Sequence, residues 1–128
     1  MKLIHTNKAP SAIGPYSQAA AVNGMVYTSG QIALQADGSD TLLQEGVVVQ
    51  AVQVLKNLEA VLVEAGSSLE NVLKTTLFLA DMSDFALVNE VYAEAFGSHK
   101  PARSTVAVKT LPKNALVEIE AIAFVSVK

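Results

Sequence analysis

The sequence predicts an α+β fold in which two helices cover one face of a mixed β-sheet. Two segments repeat apolar residues at three- and four-residue steps, which is the period of an amphipathic helix. Several shorter segments are alternating or continuously apolar and are bounded by turn residues, as strands are. In chain order the segments read as strands, helix, strand, helix and two strands, an order typical of α+β domains.

The first third of the chain predicts an irregular segment followed by a hairpin. Residues 7–16 contain two prolines and a glycine, so we expect no regular structure there. Asn23-Gly24 is a favoured two-residue hairpin turn, and a short strand is expected on each side of it. The second strand runs from Met25 to Ser29 and ends at Gly30, and Asp37-Gly38 marks another turn.

The strongest helical pattern lies between about Leu43 and Ala65. Its apolar residues form one wide face, which indicates a helix packed on a core, and Gly66 is a natural stop. The residues that define this face are Val47, Val48, Ala51, Val54, Leu55, Leu58, Leu62 and Ala65.

The second half of the chain predicts a strand, a helix and two further strands. Residues from Val72 to Ala80 read as a strand that is apolar on both faces. A helix follows from about Phe85 to Phe96, preceded by capping aspartates and closed by a glycine. Arg103 to Lys109 predicts the next strand, residues 111–114 a turn, and Leu116 to Val127 a long final strand.

The composition indicates one domain, residues 1–128, that associates with copies of itself. Hydrophobic residues make up 51% of the chain and charged residues 16%, whereas the usual charged share is about 25%. Two helices cannot cover both faces of a sheet, yet the strands at 72–80 and 116–127 are apolar on both sides. A second copy of the chain is the simplest cover for the remaining face, so we expect a homo-oligomer.

Charge and residue types exclude several functional classes. The net charge is −3 and the nine basic residues form no run, which argues against nucleic acid as a partner. The apolar stretches are too often interrupted to span a membrane, and the start of the chain lacks a signal-peptide core, which favours a cytoplasmic protein. Cysteine is absent, no phosphate-binding glycine loop is present, and His5 and His99 lack the spacing of metal ligands and read as surface residues.

The final strand carries two carboxylates in an unusual setting. Alternation places Glu118 and Glu120 on the same face as Ile122 and Phe124. A buried face would not tolerate two unpaired carboxylates, and a fully solvated face would be more polar. The pattern therefore fits either a strand that lines a polar pocket at one end or an ordinary exposed strand start.

Arg103 is the only arginine of the chain and follows a proline at the start of a predicted strand. An arginine holds a carboxylate through two parallel hydrogen bonds, so this residue is a candidate anion clamp. The alternative is a structural ion pair with Glu118 or Glu120. Tyr16 follows Gly14-Pro15, which stiffens the backbone behind it, and its phenol lies either in a pocket mouth or on the core with its hydroxyl in water.

Four segments in order, spanning nearly the whole chain, resemble the RidA/YjgF family, also called the reactive intermediate deaminases. They are residues 12–19 (AIGPYSQA), residues 28–32 (TSGQI), Lys74-Thr75-Thr76 through Asn89, and Pro101-Ala102-Arg103-Ser104 through residues 117–123 (VEIEAIA). The resemblance implies a chorismate-mutase-like fold and a homotrimer whose sheets form a central β-barrel. It also implies three sites in the clefts between subunits.

The same resemblance implies an activity, the hydrolytic deamination of 2-imino and enamine acids such as 2-iminobutyrate and 2-iminopropionate. The products are a 2-keto acid and ammonia, and no metal or organic cofactor is required. By this resemblance Arg103 grips the substrate carboxylate, Glu120 positions or activates the attacking water, and Tyr16 completes the catalytic group.

The implied substrate-binding residues are Ser29, Gly30, Asn89 and Thr105. Many relatives carry a cysteine where this chain has Thr105. Because the family role of that position is largely a backbone contact, the activity is expected to survive the change, whereas thiol chemistry is not.

Two other functions use the same residues. One is a non-catalytic trimer that binds a small metabolite and regulates a partner, which the same pocket would serve. The other is an endoribonuclease, an activity attached to some relatives by name. The acidic balance and the lack of a basic or aromatic stripe argue against RNA cleavage.

Overall fold

The computed structural model describes residues 1–126, and six strands of this range form one mixed sheet. The sheet order is β1-β2-β3-β6-β4-β5, antiparallel except for the parallel β4–β5 pair. No helix in the described range is both long and apolar enough to cross a bilayer. The elements are β1 (Lys2–Ile4), β2 (Ala19–Val22), β3 (Met25–Thr28), α1 (Val47–Glu64), β4 (Val72–Leu79), α2 (Phe85–Phe96), β5 (Ala102–Ala107) and β6 (Val117–Phe124).

The predicted α+β class, the mixed sheet and the two helices are confirmed, with one strand missed and several boundaries shifted. β1 was not predicted, because three residues are too few to show an alternation, and it forms by pairing with β2. The first helix begins at Val47, later than the predicted start near Leu43. Residues 41–44 form a separate 3₁₀ turn, and Gly46 caps α1. The final strand ends at Phe124, and Val127, which was assigned to it, lies outside the described residues.

One face of the sheet is covered by the two helices, and β6 shows how the chain achieves this. Val117, Ile119, Ala121 and Ala123 are all almost completely buried, and α1 packs directly against this strand. Their burial removes apolar surface from water at roughly 25 cal/mol per Å². The alternation of β6 therefore fixes which face of the sheet carries the core.

The opposite face of the sheet, here called the open face, has no helix over it in the described chain. It presents the remaining residues of β6 together with Tyr27 and Phe78 of neighbouring strands, and the ring of Tyr27 is 48% exposed. Phe124 at the end of β6 is 41% exposed. This arrangement agrees with the prediction that two helices leave one face uncovered, while the cover by further copies stays a prediction.

Two buried amides on α1 tie irregular segments to the core. Gln50 is fully buried; its Nε2 donates to the carbonyls of Leu43 and Glu45, and its Oε1 accepts from the backbone N–H of Leu116 at 2.9 Å. Asn57 donates to the carbonyls of residues 32 and 34 in the same way. Because the hydrogen bonds of these buried amides are satisfied, they fix the position of segments that form no regular secondary structure.

We expect Gln50→Leu to lower the free energy of unfolding by about 2–3 kcal/mol, because it leaves buried backbone groups without partners. Chemical denaturation of the variant and of the unaltered chain measures the difference. Gln44→Leu, at an exposed position just before α1, is the matched control. Equal stability of Gln50→Leu and the control would contradict the role assigned to the buried amide.

Candidate functional site

Arg103 lies on β5, at the edge of the sheet and on its covered face. Its backbone is paired with Thr75 on the parallel strand β4, and Thr75 is completely buried beneath α2. The side chain of Arg103 is itself half-buried. The guanidinium therefore belongs to the helix side of the sheet.

Two aromatic rings of α2 support this guanidinium. Its central carbon lies 4.9 Å from the ring centre of Tyr92 and 5.5 Å from that of Phe85, distances typical of cation–π contacts. Asn89 lies between these two rings on the same side of the helix, since residues three and four apart share a face. Asn89, Tyr92, Phe96, Pro101 and Arg103 line a space of about 310 Å³, here called the arginine cavity.

Thr105 projects from the same face of β5 as Arg103, two residues further along. It stands beside Leu77 of β4. Its Oγ1 is buried and has no hydrogen-bond partner within the described residues. A buried hydroxyl without a hydrogen-bond partner costs free energy, so Thr105 is an exception to the usual pairing of buried polar groups.

The predicted Ser29-Gly30 pair lies in a β-bulge between β3 and β6. Tyr27 pairs with Ile122, but Gln31 pairs with Ile119, so three residues on one strand oppose two on the other. The hydroxyl of Thr28 fills the gap by accepting from the backbone N–H of Ala121 at 2.9 Å. The bulge turns the backbone of residues 29 and 30 away from the regular ladder.

Gly30 leaves room at the bulge for the carboxylate of Glu118 to rest against the backbone. A Cβ at this position would lie 2.7 Å from Cδ of Glu118, closer than real contacts allow. Gly30, Glu118, Gln31 and Tyr16 line a small space of about 40 Å³, here called the tyrosine cavity. It has room for a water molecule or a small ligand group.

The backbone near Tyr16 is held by hydrogen bonds to neighbouring segments. The hydroxyl of Ser29 donates to the carbonyl of Ser17 at 2.6 Å, and the backbone N–H of Ser29 donates to the carbonyl of Gln18 at 2.9 Å. The ring of Tyr16 is 47% exposed, and its hydroxyl accepts from the backbone N–H of Ile13 at 3.4 Å. Tyr16 therefore stands at a pocket mouth, which is the first of the two alternatives left open by the sequence.

Glu118 and Glu120 share the open face of β6, as alternation predicted. Partial burial raises the pKa of the Glu118 carboxyl above its usual value, and the nearby negative charge of Glu120 raises it further. Glu120 stands opposite Thr76 of β4 and is half-buried.

The arginine cavity and the tyrosine cavity do not meet within one chain. Arg103 is on the covered face of the sheet, and Glu118 and Glu120 are on the open face. β4 also separates their strands, which puts the backbones about 10 Å apart. The ion pair between Arg103 and Glu118 or Glu120 that the sequence left open is therefore excluded within the chain, and so is direct proximity of Arg103 to Glu120.

A protein-family model described as Endoribonuclease L-PSP matches residues 6–125 of the chain. A mouse protein named 2-iminobutanoate/2-iminopropanoate deaminase is 52% identical over 95% of this chain and 90% of its own length. The chain belongs to the YjgF/RidA family.

Members of the RidA family with different printed names are similar to this chain to a comparable degree. A RutC family protein of Synechocystis is 53% identical over 96% of this chain and 95% of its own length. A Lactococcus lactis protein named as a regulator, AldR, is 47% identical over 96% of this chain and 97% of its own length. The crystal structure of Escherichia coli TdcF with bound serine superposes with a TM-score of 0.91 at 44% identity, covering 98% and 100% of the two chains.

Sequence reasoning about this RidA-family chain missed two features of the candidate site. Glu118, rather than Glu120, lines the tyrosine cavity, and only the bulge decides which carboxylate rests on Gly30. The rings of Phe85 and Tyr92 were not singled out as neighbours of Arg103, because their spacing is that of an ordinary apolar helix face.

The prediction that His99 is a surface residue was wrong. It is half-buried, and its Nε2 lies 2.7 Å from the carbonyl oxygen of Val72. His5 is exposed, as predicted. Within residues 1–126 no three histidine, aspartate or glutamate side chains are grouped closely enough to hold a metal ion.

We expect Glu118→Gln to raise the melting temperature at neutral pH. Because the pKa of Glu118 is raised in the folded chain, folding favours the protonated form, and stability falls as the pH rises from the usual carboxyl value through the folded pKa. Glutamine has no charge to desolvate, so its gain should shrink as the pH approaches 4.5, the ordinary value for the carboxyl group.

Thermal unfolding at several pH values measures this difference, with Glu64→Gln, at an exposed position on α1, as the control. A shift in melting temperature that is equal at every pH would contradict the pKa assignment.

Proposed function

We propose that this chain hydrolyses 2-imino and enamine acids, with 2-iminobutyrate and 2-iminopropionate as substrates, to 2-keto acids and ammonia. The relatives named 2-iminobutanoate/2-iminopropanoate deaminase in mouse, human and rat, at about half identity, support this choice of reaction. The proposal covers an enzyme that works in the cytoplasm, with no metal or organic cofactor.

The observation that carries the proposal is which groups contact the Arg103 guanidinium. It is half-buried and lies over the rings of Phe85 and Tyr92, while Glu118 and Glu120 are on the other face of the sheet. Its N–H groups are therefore not used by either of these two carboxylates. A guanidinium in this state binds a ligand carboxylate through two parallel charge-assisted hydrogen bonds.

The reaction requires little more than a held substrate and a directed water. The imine carbon is already electrophilic, so positioning and proton transfer supply most of the rate enhancement. In our proposal Glu120 takes a proton from the water as its oxygen bonds to the imine carbon. The nitrogen takes up this proton to give a carbinolamine, whose hydroxyl proton then moves to the nitrogen as the carbon–nitrogen bond breaks and the carbonyl forms. Ammonia therefore leaves with both protons of the water, and the keto acid follows.

The remaining proposed contacts follow from the two cavities. Asn89 lines the arginine cavity with Arg103, where its amide can bind substrate oxygen or nitrogen, and Thr105, on the same face of β5, is proposed to contact the substrate through its backbone. Tyr16 and the backbone of Ser29-Gly30 lie with the carboxylate pair on the other side. Each group alone is half of a site.

We propose that two neighbouring copies complete the site, with Arg103 from one and Glu120 from the other, in a homotrimer. The separation of these residues on opposite faces of one chain supports this arrangement. The uncovered apolar face of the sheet also supports it, because neighbouring copies would bury that face in a central barrel.

The second candidate is a trimer that binds a small metabolite and regulates a partner without catalysis. Two relatives support this candidate: the one named as a regulator and the one solved with bound serine. Binding of 2-ketobutyrate by calorimetry, with no acceleration of hydrolysis for any of several imines, would favour regulation over catalysis.

Arg103→Ala is expected to reduce kcat/KM for 2-iminobutyrate by roughly 100-fold or more, because the substrate carboxylate loses its paired donors. A dehydratase generates the imine, and keto-acid formation is followed with and without the chain. Lys109→Ala, a change of another cation outside both cavities, is the control. Unchanged turnover by Arg103→Ala would end the catalytic proposal.

A mixing experiment tests whether the site is shared between copies. Arg103→Ala and Glu120→Gln, each expected to be inactive alone, are denatured together and refolded as mixed oligomers. If each site takes Arg103 from one copy and Glu120 from the next, about a quarter of the sites in an equal mixture regain both residues. Recovery of activity supports the shared site, and a mixture as inactive as its components contradicts it.

A further inference from the structure

A chain of three side chains leads from the interior to the Arg103 guanidinium. Thr75 is completely buried, and its Oγ1 lies 2.7 Å from the hydroxyl oxygen of Tyr92. The ring of Tyr92 in turn lies beneath the guanidinium, 4.9 Å from its central carbon. Thr75 is also the residue directly beside Arg103 on the neighbouring strand.

Two ring faces hold the guanidinium. Its central carbon lies over the rings of Phe85 and Tyr92, and a ring face attracts the cation without supplying a carboxylate oxygen to its N–H donors. An ion pair would fix the same group by its N–H edge and would occupy the donors that a carboxylate needs. Ring contacts therefore orient the arginine and leave its binding edge open.

The hydroxyl of Tyr92 also needs its partner because of where the ring lies. Burial raises the pKa of this phenol, whereas the bond with Thr75 and the charge of Arg103 act in the opposite direction. A buried tyrosine hydroxyl without a partner would lose free energy by desolvation, so the bond to Thr75 favours one position of the ring. Further along α2, Phe96 packs against the same ring, with the two ring centres 4.5 Å apart.

We propose that Tyr92 is a positioning residue for Arg103, and that Thr75 fixes the ring of Tyr92 beneath the guanidinium. The inference rests on the proposed function, in which Arg103 binds the substrate carboxylate. The ring sets the orientation of the N–H edge before substrate arrives, so its loss weakens carboxylate binding more than it slows the chemical step.

Four variants separate this role from ordinary packing. Tyr92→Leu removes the ring, Tyr92→Phe keeps the ring and removes the hydroxyl, and Thr75→Val keeps the shape of the buried side chain and removes its hydroxyl. Val88→Ala weakens the packing of α2 at a buried position away from the arginine cavity and is the matched control.

The dissociation constant for 2-ketobutyrate, measured by calorimetry, and the KM and kcat for 2-iminobutyrate are compared among these variants. Tyr92→Leu is expected to weaken 2-ketobutyrate binding and raise KM roughly three- to tenfold, as the loss of a partly buried cation–π contact does. Its kcat should change less than twofold. Tyr92→Phe and Thr75→Val should weaken 2-ketobutyrate binding equally and less than Tyr92→Leu does, because each removes the hydroxyl bond and keeps the ring, and Val88→Ala should bind 2-ketobutyrate as the unaltered chain does.

Two results would overturn the inference. One is unchanged affinity in Tyr92→Leu while Arg103→Ala has lost binding, which shows that the arginine works without the ring. The other is equal weakening in Tyr92→Leu and Val88→Ala, which reduces the ring to packing. If Arg103→Ala binds 2-ketobutyrate normally, the proposed function fails and the positioning role fails with it.

Discussion

The strict alternation of β6 is the constraint on which the rest of the molecule depends. Every second residue of this strand is buried beneath α1, so the residues between them must point to the other face. This places both glutamates on the face that neither helix of the described residues covers. One two-residue period therefore explains three features. It places polar groups at the tyrosine cavity, it leaves apolar residues on the open face, and it separates the two glutamates from Arg103.

The architecture was predictable because it depends on periodicity, and the exceptions depend on tertiary pairing. Helical spacing in residues 43–65 indicated α1, but nothing in the pattern revealed that Gln50 and Asn57 are buried amides that hold loops. Alternation placed Glu118 and Glu120 together, yet the one-residue bulge at residues 28–30 decides which of them rests on Gly30. A bulge leaves no repeat in the sequence that could be counted.

The location of Arg103 could not be predicted from the sequence either. Its residue type indicated an anion clamp, but the face of the sheet on which it lies depends on the register of β5 against β4. The aromatic rings around it look like ordinary core residues in the sequence, because α2 is amphipathic and its inner face is apolar. Residue chemistry therefore predicted the kind of group, and only the fold revealed how it is held.

The parallel pairing of β4 and β5 has a consequence for how this chain can vary in length. α2 connects the two strands and also supplies the rings beneath Arg103, so the segment from Gly97 to Pro101 fixes the distance between the helix and the strand. A single residue inserted there, if it moved β5 by one position, would turn Arg103 to the open face and bring Ser104 under the helix. We therefore expect natural and engineered insertions to be confined to other loops, such as residues 35–40.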